Sequence, residues 1–230
     1  MPLSIIIPVL NEEKLLPVLL DYLQNTKSAE DEIIVVDGGS KDNTCTIAKT
    51  YPVRLFHTDV CSRAIQMNLG AKNALHDILY FLHADSVPPK SFSQEIKTAR
   101  QQGSKLGGYK LKIGVKDQGL KKINSFFTKI DLLIFQGGGD QSLFILKDVF
   151  TELNGFDENY DIMEDFDLVS RSRSLGYKKA ILDQYIQVSD RKYKSNGYLK
   201  VQLANLIAYS AFSIGIKPIR IKAFYKSFLK

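Results

Sequence analysis

The stretch that most constrains the fold of this chain is an apolar run that ends in an aspartate and two glycines. Residues 33–36 are Ile-Ile-Val-Val, too short a run for a helix, which predicts a strand buried on both faces. Asp37-Gly38-Gly39-Ser40 follows at once, and Asp42 is placed to cap a helix over residues 43–49. Open α/β sheets bind ligands at the carboxyl ends of their strands. The run therefore predicts either a nucleotide pocket edged by Asp37 or an ordinary tight βα turn.

The first half of the chain alternates predicted strands and helices. Residues 3–9 form an apolar strand, which we expect Pro8 to end because proline cannot donate a ladder hydrogen bond. A helix opening at residues 11–13 carries leucines at the 3.6-residue period. The pattern continues as strand 33–36, helix 43–49, strand 53–56, helix 62–75 and strand 78–82. This alternation predicts a doubly wound α/β half with right-handed crossovers.

The second half has a mixed pattern in place of simple βα repetition. A helix is predicted to end near Arg100, followed by strand 106–115, helix 120–135, a glycine-rich turn at 136–141, strand 142–146 and a short helix. An acidic cluster at 164–167 then opens a helix that runs to 175, and strand 178–182 follows.

The charge of the chain is unevenly distributed. Residues 191–230 contain nine basic residues and no acidic one, whereas residues 1–190 carry 22 basic and 25 acidic residues. This favours an anionic surface met by the C-terminus over nucleic acid wrapped by the whole protein. Cys45 and Cys61 lack paired spacing and histidine neighbours of the zinc-site kind, and no signal peptide is recognised. We therefore expect reduced thiols in a cytoplasmic protein.

The C-terminal segment predicts a helix that is too short to span a membrane. Residues 201–216 carry no charge, and as a helix they reach about 24 Å, against about 30 Å of hydrocarbon core. The basic segment 217–230 that follows is interleaved with aromatic residues. This combination is typical of an interfacial helix on an anionic leaflet at the inner face of a membrane. A helix packed on the domain with a solvated basic tail fits equally well.

Three further groups contain polar residues of types that bind ions or take part in catalysis. His83 and Asp85 follow a predicted strand two residues apart, so on extended backbone both could face one ion, although a capping aspartate explains the pair as well. The cluster 164–167 suits a helix N-terminus, and apolar neighbours would desolvate at least one of its carboxylates, as a general base requires. Arg63, in the first turn of its helix, suits an anionic ligand or a carboxylate.

Four of these stretches, in this order, resemble the signatures of family 2 glycosyltransferases. They are Ser4 to Glu13 (SIIIPVLNEE), Val35 to Asp42 (VVDGGSKD), Phe81 to Asp85 (FLHAD) and Met163 to Leu168 (MEDFDL). The resemblance covers about residues 3–190. It implies an α/β fold of GT-A type, a Rossmann-like mixed sheet with helices on both faces. The remaining residues, 191–230, are then a basic, helical C-terminal extension to a domain of residues 1–190.

The resemblance also implies an enzyme that moves a sugar from a nucleotide sugar, a UDP- or GDP-sugar, to a hydroxyl acceptor with inversion. The acceptor could be lipid-linked. In the family's pattern Asp37 contacts the nucleoside, with Pro8, Asn11 and Glu12 beside it and Arg63 nearby. Asp85 holds a divalent cation, Mn²⁺ or Mg²⁺, on the donor diphosphate, and Asp165 is the catalytic base. Asp140, Gln141 and Glu164 frame the sugar and the acceptor.

Two departures from the family's pattern affect these expectations. The family commonly has Asp-Asp-Gly-Ser at residues 37–40 and an aspartate at the position of His83. Mg²⁺ prefers oxygen ligands, whereas Mn²⁺ accepts imidazole more readily, so His83 leaves the identity of the metal open.

Two rival functions share this fold. One is a catalytically weak nucleotide-sugar-binding or membrane-docking protein, which the replacement of an aspartate by His83 allows. The other is a sugar nucleotidyltransferase, which usually has a glycine-rich basic loop after the first strand. Residues 8–13 are neither glycine-rich nor basic, which counts against a nucleotidyltransferase.

Overall fold

A computed structural model describes residues 1–113 and 142–229 of this chain. Within them, one sheet contains β1 (Leu3–Val9), β2 (Glu32–Asp37), β3 (Arg54–His57), β4 (Ile78–Phe81), β5 (Ser86–Val87), β6 (Leu106–Ile113), β7 (Leu143–Leu146) and β8 (Lys179–Val188). The helices are α1 (Leu16–Thr26), α2 (Thr44–Ala48), α3 (Arg63–Asn73), α4 (Phe92–Gln101), α5 (Lys147–Glu152), α6 (Glu164–Ser174), α7 (Arg191–Asn196), α8 (Tyr198–Ser213) and α9 (Pro218–Phe228). The predicted helix 120–135 and turn 136–141 lie outside the described residues.

The sheet has the strand order β3-β2-β1-β4-β7-β6-β8-β5. Strands β1 to β4 pair in parallel, whereas β7 is antiparallel to both β4 and β6. Strand β8 runs parallel to β6, and β5 pairs with it antiparallel. This confirms the doubly wound first half and the mixed second half that the sequence predicts.

Pro8 does not end the first strand, which continues to Val9. The Val9 carbonyl accepts a hydrogen bond from the amide of Gly38, directly after β2, and the Ile6 carbonyl accepts one from the amide of Leu82, directly after β4. In β1, the peptide groups of odd-numbered residues therefore face β2 and those of even-numbered residues face β4. The register between β1 and β4 stops at Ile6 and Phe81. Because β4 has already ended, the missing N–H of Pro8 costs no ladder hydrogen bond.

Helix α1 begins at Leu16, later than the predicted opening at residues 11–13. Asn11 has a φ of 54°, which is left-handed and incompatible with a helix, and a turn follows in which the Leu15 and Leu16 amides donate to the Glu12 carbonyl. Pro17 suits the first helical turn, where its missing N–H has no partner to lose. Of the predicted leucine stripe, Leu16, Leu19, Leu20 and Leu23 are buried in the helix, whereas Leu15 is half-buried and precedes it.

The core lies between the strands β1, β2 and β4 and the helices that cover them. Every residue of β1 and β4 is buried, as continuous apolar strands require. Helix α3 packs closely on this sheet at Gly70, where an added Cβ would stand 2.4 Å from the Ile6 side chain. The absence of a side chain at Gly70 therefore sets how near α3 can approach β1.

Strand β8 is twice as long as the strand predicted at 178–182. It pairs with β6 along its whole length, with an irregularity between Tyr109 and Lys110. The part of β8 beyond the predicted strand begins with Asp183 and Gln184, which are exposed. Half-exposed strands mix polar and apolar residues, so they lack the continuous apolar run that marks a buried strand in a sequence. This explains why the predicted strand is too short.

The C-terminal helices have a buried side and an exposed side. Helix α8 buries Val201, Ala204 and Ala208, whereas Leu203 and Leu206 on the same helix are 48% and 49% exposed. In the described part of the chain, every helix falls short of the length and apolarity that a membrane crossing requires.

Glu32, at the start of β2, ties three elements together. Its carboxylate accepts hydrogen bonds from the Ser4 hydroxyl (2.6 Å), the Arg54 guanidinium (2.8 Å) and the Leu75 amide (2.6 Å). Desolvation by burial favours the neutral acid, but these hydrogen bonds outweigh it and lower the pKa of Glu32 below its ordinary value. Glu32 thus stabilises the fold as an anion.

We predict that Glu32→Gln lowers the free energy of unfolding at pH 7 by about 1–3 kcal/mol, since hydrogen bonds to a charged group are lost. A lowered pKa means that this stabilisation is complete above the ordinary value of 4.5 and disappears as the pH falls through the lower, folded-state pKa. Urea unfolding of both proteins should therefore give curves that converge at acid pH. Glu30→Gln, at an exposed position, is the control; an equal loss in that variant would contradict the prediction.

Candidate active site

A cavity of about 720 Å³ opens at the carboxyl ends of β1 and β4. Its wall includes the segment after β1, the start of α3 and the turn after β4, and residues of α7 and α9 complete it. This volume is typical of small-molecule sites, which measure about 300–1,000 Å³. The site therefore lies where an open α/β sheet binds its ligand, and the C-terminal helices contribute to it.

The predicted site residues divide into two groups. Those in the cavity wall are Pro8, Glu12, Arg63, His83 and Asp85. Of the described residues, Asn11, Asp37, Glu164 and Asp165 are not part of that wall. Asp140 and Gln141 lie outside the described residues.

Asp37 is buried and held by the turn that follows β2. Its carboxylate accepts hydrogen bonds from the amides of Gly39 (2.9 Å) and Ser40 (3.1 Å). Desolvation by burial opposes ionisation, but the bonds from Ser40, Gly39 and the Cys45 thiol lower the pKa of Asp37. Asp37 is thus a fixed negative charge, and Gly39, with a φ of 91°, provides the turn that holds it.

Asn11 fastens the segment after β1 to this turn. Its amide donates to the Ser40 hydroxyl at 2.8 Å, and its side-chain oxygen accepts from the Lys41 amide at 2.8 Å. Its left-handed backbone places both groups toward the turn. Asn11 therefore positions the loop around Asp37.

Gln66 is a site residue that the sequence reading missed. Its buried side-chain amide donates to the Val9 carbonyl at 2.8 Å and the Val36 carbonyl at 2.7 Å, joining the ends of β1 and β2. It also lies behind Gly38, where an added Cβ would stand 3.0 Å from the Gln66 side chain. A larger residue at position 38, where the family commonly has aspartate, would therefore require the Gln66 side chain to shift by a few tenths of an ångström.

The turn after β4 differs from the extended segment that the sequence predicts. The Ser86 amide donates to the His83 carbonyl at 3.1 Å, which closes a turn through Ala84 and Asp85. The expectation of extended backbone at His83 and Asp85 is therefore wrong, because the chain reverses to start β5. Both residues still belong to the cavity wall.

The acidic cluster opens α6 as the sequence predicts. Glu164 is buried and pairs with Arg63 of the cavity wall at 3.6 Å. Met163 precedes it with a φ of 70°, a left-handed conformation that is strained for such a side chain. Strain of this kind is common at functional sites.

Asp165 is also buried, and one of its oxygens accepts a hydrogen bond from the Phe166 amide at 2.9 Å. The negative charge of Asp165 acts on Lys179, which lies at the start of β8. Desolvation lowers the pKa of Lys179 to about 8, and the negative charge of Asp165 opposes that fall.

The cavity carries more positive than negative charge. Its charged lining consists of Arg63, Arg191, Lys192, Lys222 and Lys226 against Glu12, Asp85 and Asp161. Arg191 of α7 reaches across to Glu12 of the β1 loop, with 3.0 Å between nitrogen and oxygen. Its hydrogen bond with Glu12 raises the pKa of Arg191. This excess of cations suits an anionic ligand.

Cys45 and His57 flank Asp37 in space. Both cysteines are free thiols, as the sequence predicts. The His57 Nδ1 lies 3.6 Å from an Asp37 oxygen, and the Cys45 thiol hydrogen-bonds to Asp37. The sequence places these residues far apart, and only the pairing of β2 with β3 brings them together.

A family profile identifies the chain. The profile of glycosyl transferase family 2 matches residues 4–124, which is more than half of the chain. The chain belongs to this family.

Two named relatives of the chain are bacterial glycosyltransferases. A PGL/p-HBAD biosynthesis glycosyltransferase of Mycobacterium tuberculosis is 27% identical over 207 residues, covering 85% of this chain and 78% of the relative. The O-antigen chain rhamnosyltransferase RfbN of Salmonella typhimurium is 24% identical over 201 residues, covering 78% of this chain and 63% of its own. Together with the family match, these relatives show that the chain is a glycosyltransferase.

Solved structures agree on the fold. A Pyrobaculum calidifontis mannosyltransferase, crystallised with GDP-Man and Mn²⁺, aligns with a TM-score of 0.71 at 17% identity over 97% of this chain and 68% of its own. Residues 1–349 of S. aureus TarS, in complex with UDP-GlcNAc, align with a TM-score of 0.65 at 18% identity over 99% of this chain and 71% of theirs. The expected GT-A fold is confirmed.

We predict that Gln66→Leu lowers the free energy of unfolding by about 1–3 kcal/mol, because two buried hydrogen bonds of about 0.5–1.5 kcal/mol each are lost. Chemical denaturation measures this loss. Gln94→Leu makes the same change at an exposed position of α4 and should leave stability nearly unchanged. Equal stabilities for the two variants would show that Gln66 does not hold the strand ends together.

Proposed function

We propose that this enzyme transfers a sugar from a nucleoside-diphosphate sugar to an acceptor hydroxyl, with inversion at the anomeric carbon. The observation that carries the proposal is the cation-rich cavity at the carboxyl ends of β1 and β4. A diphosphate is a compact dianion, which this lining suits. The donor complexes of the mannosyltransferase and of TarS support a nucleotide-sugar donor, with UDP or GDP as the nucleotide.

The donor lies with its nucleoside toward Asp37 in this proposal. Asp37 is a fixed anion next to the cavity, since Gln66 contacts both the cavity and the backbone beside Asp37. A carboxylate accepts hydrogen bonds from base N–H groups. Pro8 and Glu12 then line the nucleoside end, Asn11 positions the loop, and Arg63 lies near the diphosphate.

The cavity wall also fits a divalent cation on the diphosphate. Asp85 and His83 provide one carboxylate and one imidazole, and a cation bound to a diphosphate needs few protein ligands because phosphate oxygens and water complete its shell. This ligand pair fits Mn²⁺ better than Mg²⁺. When bound, the cation would neutralise the negative charge of the departing diphosphate.

Asp165 is the general base in this proposal. The acceptor oxygen attacks the anomeric carbon, its proton passes to the Asp165 carboxylate, and the bond from that carbon to the diphosphate oxygen breaks. Attack from the face opposite the leaving group inverts the configuration. Burial at the start of α6, a strained residue at its N-cap and the link from Glu164 to the cavity through Arg63 support this role. Glu164, with Asp140 and Gln141, is proposed to frame the sugar and acceptor.

We predict that Asp165→Asn lowers the turnover number by about 10²–10⁴-fold, the contribution of a positioned general base. Donor binding should change little, because Asp165 is outside the cavity wall. Turnover assays and calorimetric titration with the donor nucleotide separate these effects. Asp148→Asn, at an exposed position of α5, is the matched control, and near-normal transfer by Asp165→Asn would refute the assignment.

We predict that chelation of divalent cations abolishes transfer and that Mn²⁺ restores it. In Asp85→Asn, the Mn²⁺ concentration that gives half-maximal activity should rise at least tenfold, because the only carboxylate proposed to hold the cation is lost. Manganese electron paramagnetic resonance with the donor nucleotide provides a second readout. Activity that persists after chelation would remove the metal from the proposal.

We further propose that the C-terminal helices dock on the anionic inner face of a membrane, where a lipid-linked acceptor is accessible. Leu199, Leu203 and Leu206 recur on one side of α8 and are exposed, as is Ile219 of α9. The surrounding segment 191–230 carries nine basic residues and no acid. An exposed apolar stripe with a basic surround matches an anionic leaflet. The cytoplasmic, peripheral location expected from the sequence remains part of this proposal.

We predict that the protein co-sediments with vesicles containing phosphatidylglycerol and much less with neutral phosphatidylcholine vesicles. Leu203→Ser with Leu206→Ser should weaken binding at least tenfold, because apolar surface no longer enters the interface. Leu75→Ser with Leu175→Ser changes two exposed leucines elsewhere and serves as the control. Equal binding by the two double variants would exclude α8 as the docking surface.

A further inference from the structure

Three side chains of different chemistry meet beside the cavity, at the ends of β2 and β3. Asp37, Cys45 and His57 each offer one ligand atom, and these atoms all lie within 4.8 Å of one another. Within residues 1–113 and 142–229, this is the one group of three or more such side chains close enough to share an ion. It does not include Asp85 or His83, so it is separate from the proposed diphosphate cation.

The sheet itself brings these residues together. Asp37 and His57 are register partners at the ends of the parallel strands β2 and β3. The Thr58 amide donates to the Asp37 carbonyl at 2.9 Å, which continues the pairing past His57. Cys45 comes from the first turn of α2, after the turn held by Asp37. Two of the three ligands therefore stand on a rigid sheet edge.

The ligand set matches one class of cation. A thiolate, an imidazole and a carboxylate form the mixed sulfur, nitrogen and oxygen set that Zn²⁺ accepts and that Mg²⁺ does not favour. Zinc bonds of about 2.0–2.3 Å at tetrahedral angles place ligand atoms roughly 3.3–3.7 Å apart. The side chain of His57 is 55% exposed, so rotation about its side-chain bonds can close the remaining distance and leaves a path to solvent.

We propose that Asp37, Cys45 and His57 bind one Zn²⁺ ion, with water in the fourth position. The Cys45 thiol, which hydrogen-bonds to Asp37 in the metal-free protein, loses its proton to solvent when the ion binds. The Asp37 oxygen takes the ion while the Gly39 and Ser40 amides keep the carboxylate in place. No oxidation or reduction takes part.

Occupation of this site would regulate the enzyme if Asp37 contacts the nucleoside, a step that rests on the proposed function. The carboxylate cannot bind Zn²⁺ and accept a hydrogen bond from a nucleoside base through the same oxygen. Zn²⁺ is therefore expected to compete with the donor, in contrast to the activating cation at Asp85.

Calorimetric titration of the full chain with Zn²⁺ alone tests the site. We expect one ion per chain, with affinity lowered at least tenfold in Cys45→Ala and in His57→Ala. Cys61→Ala and His76→Ala remove a thiol and an imidazole outside the cluster and should bind Zn²⁺ as the unchanged protein does. Cd²⁺ gives a second readout, a thiolate-to-cadmium absorption band that Cys45→Ala should abolish and Cys61→Ala should retain.

The proposed site is wrong if Cys45→Ala and His57→Ala leave the Zn²⁺ affinity unaltered. It is also wrong if the cadmium band persists in Cys45→Ala. Thermal unfolding without metal verifies that each variant is folded, and Cys45→Ser replaces Cys45→Ala if the latter is not.

A separate measurement tests the regulatory step. In assays supplied with Mn²⁺, the Zn²⁺ concentration that halves transfer should rise at least tenfold in Cys45→Ala. If Zn²⁺ binds with the expected stoichiometry and ligand dependence but leaves donor binding unchanged, the metal site stands and the nucleoside role of Asp37 fails. The two proposals can therefore fail independently.

Discussion

The site depends on the parallel register of β1 with β2 and β4. Because these strands run in the same direction, their carboxyl ends meet at one edge of the sheet, and every segment that follows a strand begins there. Glu12 and His83 lie in the segments that follow β1 and β4, and Asp37 and His57 are the last residues of β2 and its parallel neighbour β3. Gln66 then joins the ends of β1 and β2 through two carbonyls.

The carboxylates at the two ends of β2 are stabilised by the same means. Glu32 and Asp37 both receive hydrogen bonds from donors that the backbone or an ion pair holds in place, and both have lowered pKa values despite desolvation. The two carboxylates have different effects because they lie in different places. Glu32 lies away from the cavity and joins β1, β3 and the segment after α3, whereas Asp37 presents a fixed charge beside it. The same arrangement of donors thus keeps both carboxylates ionised, Glu32 within the fold and Asp37 next to the cavity.

The C-terminal helices connect the site to the outer surface of the protein. Arg191 and Lys192 of α7 and Lys222 and Tyr225 of α9 line the cavity, while α8, which α9 packs against, presents its leucines outward. Lys222 also pairs with Asp161, just before the acidic cluster of α6. The cavity therefore draws on residues from both sides of the predicted boundary at 190/191, and that division of the chain stays a prediction.

The sequence by itself determined the elements of the first half and the family. Long apolar runs and leucine periodicity report burial directly, and short motifs such as residues 35–42 and 81–85 carry their chemistry within a few positions. The tertiary structure decided what depends on contacts between distant segments. Pro8 is tolerated inside β1 because β4 ends earlier. Gly38 packs closely against Gln66, and Cys45 meets His57 through the pairing of β2 with β3. Each of these features depends on residues that are close in space but distant in the sequence. Hydrophobic periodicity within one segment cannot reveal such contacts.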